Sequence, residues 1–249
     1  MKAPAPAARL SLLFVIGSIA AVGGASSPPP LPDQNTFLQQ FRSTLQTGWL
    51  LPSGYSFRET RTELRLNDDG IVIGKSVKVL DRPEPLDRES AAQRERRLRT
   101  EVDACRKENE IVEEAFRLYD FRLVGREPRD GHDAILFTFA PAAGPSPRGN
   151  EGKLLQKFSG RAWVAEADHQ LIRVEAQAID EVTMGFGLLA RFEKGSQVVF
   201  QRRKVSDTVW LPSELRYSVG GRVLLVKKLR IEGLREFSNY KALSGHPTN

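Results

Sequence analysis

Cysteine is nearly absent. The 249 residues hold one, Cys105, and only three histidines. One thiol closes no internal disulfide, so the fold must rest on its own core. The histidines, His132, His169 and His246, show no H-E-x-x-H spacing, and no serine stands in G-x-S-x-G. Those absences remove two common hydrolase signatures. Long apolar runs are scarce too. The run from Leu10 to Ala25 is interrupted by Gly17 and falls short of the ~20 residues a spanning helix needs. Charge of one sign is not dominant. The net +6 includes Lys2 and Arg9, and without them about +4 is left, too little to imply nucleic acid.

What is present begins with the leader. "MKAPAPAARL" is basic, "SLLFVIGSIAAVGGA" is apolar, and small residues precede Ser26. This is the pattern of a secretory signal peptide over 1–25, with cleavage near Ala25. No cysteine follows the apolar run, so an N-terminal lipid anchor on cysteine is not available. Export without disulfides points to a bacterial periplasm, with secretion as the lesser option. "SSPPPLP" (26–32) reads as a Pro-rich linker, and 244–249 as a tail.

"DQNTFLQQFRSTLQTG" predicts a helix capped by Asp33 or Asn35, with Phe37, Phe41 and Leu45 on one face. "GYSFRETRTELRL", "NDDG" and "IVIGKSVKVL" predict a hairpin whose first strand carries charge on both faces. Residues 87–117 predict a charged helix, with Leu98, Val102, Cys105, Val112 and Phe116 on its apolar side. Cys105 on that stripe reads as a small core residue. From Tyr119 the period becomes two, and eight strand candidates follow with short turns such as "REPRDG", "ADHQ", "EKGS" and "VGG". Ile172, Val174, Ala176 and Ala178 are expected on one face. "APAAGPSPRGNEG" (140–152) is expected as a long Pro/Gly-rich connection. So many consecutive strands must form an antiparallel meander that curls.

"ADHQ" places Asp168 and His169 side by side, with Glu166 just before. A triad is one reading. Its position between two alternating strands predicts a hairpin tip instead, where Asp and His bond the local backbone.

Four blocks carry a family resemblance. They are "LPSGYSFRETRTELRLNDDGIVIGKSVKV" (51–79), "FSGRAWVAEADHQLIRVEA" (158–176), "VSDTVWLPSELRYSVGGRVLLVKKLRI" (205–231) and "EFSNYKAL" (236–243). Over Gly54 to Lys241 the chain resembles the periplasmic lipoprotein carriers of the LolA-like superfamily, and more closely the outer membrane lipoprotein-sorting proteins. The resemblance implies a mainly β protein with helices (α+β). The expected form is a strongly curved, half-open antiparallel β-barrel covered by helices, with one domain over 33–243. The charged helix at 87–117 departs from the shared pattern as an insertion.

The resemblance also implies an apolar cavity for acyl chains, with no cofactor, metal or catalytic residue. A long chain can bind on apolar lining alone, at about 0.8 kcal/mol per buried methylene. Candidate lining residues are Trp163, Ala165, Ile172, Val174, Met184, Phe186, Leu188, Phe192, Leu211 and Tyr217. They could equally be filled core. "DEVTMGFGLL" (180–189) is a candidate mouth or a plain hairpin turn. From Arg191 to Lys241, twelve Lys/Arg face five Asp/Glu. This basic face could meet an anionic lipid surface or an acidic partner, or simply be solvated. The function expected is a non-enzymatic carrier for an apolar, lipidated ligand or lipoprotein, served by a membrane-associated donor or acceptor protein. The alternative is an envelope-stress signalling or scaffold module with protein partners.

Overall fold

The computed structural model describes residues 29–45, 54–82, 90–185, 189–223 and 227–243. The leader, the tail, Phe186 and Leu188 lie outside these residues. So do the side chains of Met184 and Phe192 and the side chain of Leu98. The folded unit that holds the sheet and helices begins at Leu31.

Helix α1 (Gln34–Leu45) starts where Asp33 Oδ1 accepts from the Thr36 backbone N–H at 2.9 Å. Its apolar spacing buries Phe37, Phe41 and Leu45, as the sequence predicts. Strands β1 (Tyr55–Leu66) and β2 (Val72–Arg82) form the expected hairpin. At its turn Asn67 Oδ1 accepts from the backbone N–H of Asp69 and Ile71, and Gly70 takes φ +77°.

Helix α2 (Ala91–Leu118) opens on a Ser90/Gln93 capping box. Its apolar stripe is buried only toward the end. Val112 is 3% exposed, whereas Val102 is 67% exposed. The difference has a plain cause: the last turns meet α1 and the sheet, and the first turns meet solvent.

Nine more strands follow: β3 (Tyr119–Arg126), β4 (Ala134–Pro141), β5 (Phe158–Ala165), β6 (Leu171–Ala178), β7 (Val182–Gly185), β8 (Leu189–Phe192), β9 (Gln197–Lys204), β10 (Trp210–Val223) and β11 (Lys227–Ala242). The β3–β4 turn holds Asp130 at φ 52° and Gly131 at φ 80°, the positive pair of a two-residue hairpin.

Three local expectations are corrected. "VGG" is not a turn: β10 runs through Gly220 and Gly221, because β8 and β11 pair with it there on either side. "DEVTMGFGLL" is not simply a turn: Val182–Gly185 form β7, which pairs with β8, and β8 pairs in turn with the end of β10. The connection before β5 contains helix α3 (Gly149–Leu155). Glu114 of α2 holds it by accepting from Arg148 N at 2.7 Å, and Gly152 lets the two helices approach.

The sheet is antiparallel and ordered β2-β1-β11-β10-β9-β6-β5-β4-β3, with β7 and β8 off this path. It is a meander that curves but does not close, carrying helices, so the α+β half-open architecture stands. At the β3 edge, Gln34 of α1 donates from Nε2 to Phe121 O and accepts from Leu123 N–H. Its amide thereby replaces a missing strand. Among the described residues no helix is long and apolar enough to cross a membrane.

Two apolar clusters lie on opposite faces of the sheet. On the helix side, Phe37, Phe41, Leu45 and Val112 pack onto Ile135, Phe137, Ala162, Val164, Leu171 and Phe200. Each buried side chain of this size contributes about 1.5–3 kcal/mol. On the other side, Ala134, Leu136, Trp163, Ala165, Ile172 and Trp210 form a smaller core.

Candidate functional site

Asp168 Oδ2 accepts from Lys204 Nζ and from Trp210 Nε1, both at 2.9 Å. Burial acts to raise the Asp168 pKa, but those two donors win and hold its carboxyl below the usual range. Glu166 takes both nitrogens of Arg126, at 2.7 and 2.6 Å, which lowers its pKa as well. His169 adopts φ +55° and lays its ring 4.6 Å from that of Phe37. Its carbonyl accepts from Thr44 Oγ1 at 2.9 Å. Arg202 is buried beneath, donating to Gln170 Oε1 and to Trp210 O, and loss of water pushes its pKa down to about 10. The three ionisable groups therefore clamp the tip to α1, β3, β9 and β10. They are a joint, with each polar partner drawn from the scaffold.

The candidate lining residues divide between the two faces. Trp163 is fully buried away from the helices, with Arg129 and Arg161 guanidinium carbons 4.2 and 5.0 Å from its ring centroid. Its Nε1 donates to Glu127 Oε1 at 3.0 Å. Ala165 and Ile172 join the same small core. Val174 packs on the helix side instead. The expected shared face of Ile172 and Val174 is thus corrected. A bulge between β5 and β6 pairs Trp163 with Arg173 but Val164 with Leu171, so Ile172 is the extra residue and faces the other way. Leu211 is buried near the tip. Tyr217 lies on the helix side, its ring over Gly233, where any side chain would overlap it. Met184 and Phe192 belong to β7 and β8 by backbone alone. Phe186 and Leu188 lie outside the described residues.

What the helix side does bring together is a row across the whole path. Paired residues of an antiparallel ladder share a face. The pairs Leu123–Phe137, Phe137–Ala162, Ala162–Val174, Val174–Phe200 and Phe200–Leu215 run apolar from β3 to β10. The row then continues Leu215–Arg235, Arg235–Arg61 and Arg61–Lys78, cationic across β11, β1 and β2. The neighbouring row adds Ala176, Val198 and Tyr217, then Gly233 and Glu63.

Burial changes at the Phe200–Leu215 step of this row. Phe200, under the helices, is 4% exposed, and Leu215, next to it, is only partly buried. Val198, Tyr217, Val219 and Ile231 beyond are likewise partly exposed. At the cationic end Glu59 is buried, accepting from Arg61 Nε and Nη2 at 2.6 and 2.8 Å. Arg235 Nη1 stands 3.9 Å from the same carboxylate. The sequence reading missed Arg61, Lys78 and Arg235. The signal was there in "FRETRTELRL", where Arg61, Glu63 and Arg65 alternate onto one face.

A separate cleft of about 1220 Å³ lies beside α2, bordered by Arg42, Cys105, Phe116, Arg148 and a series of charged groups. Its walls mix cations with Glu110, Glu113, Glu114 and Glu151, so it is no continuous apolar lining. Among the described residues, no cluster of His, Cys, Asp and Glu could hold a metal ion.

No family model and no curated protein matches the sequence. Similar solved structures include an outer membrane lipoprotein-sorting protein domain from Vibrio parahaemolyticus, at 12% identity and TM-score 0.36, covering 86% of this chain and 94% of that one. A DUF1329 family protein from Desulfovibrio piger aligns at 12% identity and TM-score 0.37, over 85% and 94% of the chains. Pseudomonas aeruginosa MucB, solved in a complex of MucA and MucB, aligns at 8% identity and TM-score 0.25, over 84% and 99%.

Proposed function

We propose that the protein is a non-enzymatic carrier or binding protein of the periplasm for an apolar, lipidated ligand. The observation that supports it is the partly exposed apolar continuation of the sheet rows beside the helix-packed core. Residues that pack under α1 continue as Leu215, Val198, Tyr217, Val219 and Ile231, which the described helices leave partly exposed. A row of this kind offers an acyl chain an apolar bed without polar competition. The tip groups Glu166, Asp168 and His169 are engaged in holding the scaffold, which favours binding over catalysis.

The test is extraction of lipid from the native protein with mass spectrometry, followed by binding of a fluorescent acyl ester to the delipidated protein. Leu215→Gln should weaken that binding about tenfold while the fold persists, because a polar amide would have to be desolvated under the chain. A delipidated wild type that takes up no apolar probe would overturn the proposal.

A second reading has its own observation. β2 is an edge strand, and Ile71, Ile73, Val77 and Val79 at or beside it are 53–61% exposed. An exposed apolar edge suits addition of an extended segment from a protein partner, as a scaffold would use. A complex formed by lipid-free protein and lost in Val77→Lys/Val79→Lys would favour this role.

A further inference from the structure

We infer that the ligand is a lipid with an anionic head, its chain laid against Leu215 and Tyr217 and its head held at Arg235 and Lys78. This rests on the carrier reading above and names the class of molecule carried. The register gives the reason. Leu215 and Arg235 are direct ladder partners on one face, so the apolar bed ends where the cations begin. Adjacent strands are about 4.8 Å apart, so the step from Leu215 to Lys78 spans roughly 14 Å.

The cations exceed what their own carboxylates neutralise. Arg61 is committed to Glu59. Arg235 reaches that carboxylate only at 3.9 Å and keeps 39% of its side chain exposed. Lys78 is exposed. Arg65 on the same face lies along Gly74, where a Cβ would come 3.1 Å from its Nε. Against Arg61, Arg65, Lys78 and Arg235 stand Glu59 and Glu63, which leaves two positive charges on this patch. The row directly behind, on the other face, is Val77, Thr62 and Leu234, which is neutral. The charge is therefore concentrated on the face that elsewhere carries the core. A carboxylate or phosphate head beside two such donors gains charge-assisted hydrogen bonds.

The experiment compares a fluorescent long-chain fatty acid with its methyl ester, on delipidated wild type and on Arg235→Gln/Lys78→Gln. Wild type should prefer the acid by about tenfold, the worth of one charge-assisted contact. The double variant should bring the two probes to near parity by weakening the acid alone. Lysophosphatidic acid should likewise compete better than monoacylglycerol, which lacks the phosphate, and equal competition would count against an anionic head. Equal binding of acid and ester by wild type would overturn the head-group inference and leave the carrier reading intact. Failure to bind either probe would instead remove the carrier reading itself. Equal loss of both probes in the variant would show that Arg235 and Lys78 act on the scaffold rather than on the head. Lys78→Gln alone, at an exposed edge position, guards against a double variant that does not fold, and should show part of the same loss of preference.

Discussion

Trp210 donates its indole N–H to Asp168 across 42 residues of sequence, at 2.9 Å. That bond joins the tip of one hairpin to the start of another strand and roofs the buried Arg202. Removing the carboxylate leaves an indole N–H and an ammonium short of an acceptor, and takes a favourable charge from near the buried Arg202. Asp168→Ala should therefore cost about 2–3 kcal/mol, read from the chemical denaturation midpoint. A change within ~0.5 kcal/mol, as for an ordinary exposed turn residue, would contradict the joint.

His169 is held in the left-handed region while its ring contacts Phe37. The sequence alone suggested a plain hairpin tip, where His169→Ala would change little. The packing changes that expectation to a loss of about 1–2 kcal/mol, from the ring contact and from alanine's poorer fit to positive φ. His169→Asn, which tolerates that backbone, should lose less than alanine does. Equal losses would show that backbone conformation plays no part.

Gly233→Ala would drive a methyl group into the Tyr217 ring. It should destabilise by about 1–3 kcal/mol, as overpacking does. With Tyr217→Ala present the same change should cost much less. The double-mutant cycle is the measurement, and strict additivity would place the ring elsewhere.

Acid should weaken the fold through specific carboxylates. Arg126 lowers the Glu166 pKa, Arg117 lowers that of Glu114, and Trp210 with Lys204 lowers that of Asp168 against the effect of burial. Carboxylates depressed in the folded state contribute stability that is full above their unfolded values. That stability is lost as pH falls through the folded ones, here from about pH 5 downward. Glu166→Gln should flatten this limb of the midpoint-against-pH curve by about 1 kcal/mol, with little change in slope above pH 6.

Phe41→Ala should cost about 3–5 kcal/mol, since the ring is 4% exposed in the helix-side core. Loss of α1 signal by hydrogen exchange before global unfolding would identify it as the element that holds the sheet's inner face.

The sequence by itself determined α1, the β1–β2 hairpin, the charged helix and the antiparallel meander, because hydrophobic period and turn chemistry are local properties. Phe37, Phe41 and Leu45 repeat at helical spacing whatever they pack against, and "NDDG" turns the chain through its own Asn67 side chain. Only the tertiary structure decided which face each strand residue meets. A single extra residue, Ile172, reverses a strand's faces and leaves almost no mark in an alternating pattern. It likewise decided that Asp168 and His169 serve a joint, since their partners Trp210, Lys204, Phe37 and Thr44 are distant in the chain. The row from Phe200 through Leu215 to Arg235, Arg61 and Lys78 draws on five strands. Its order is a property of ladder register, which long-range pairing sets and local spacing does not.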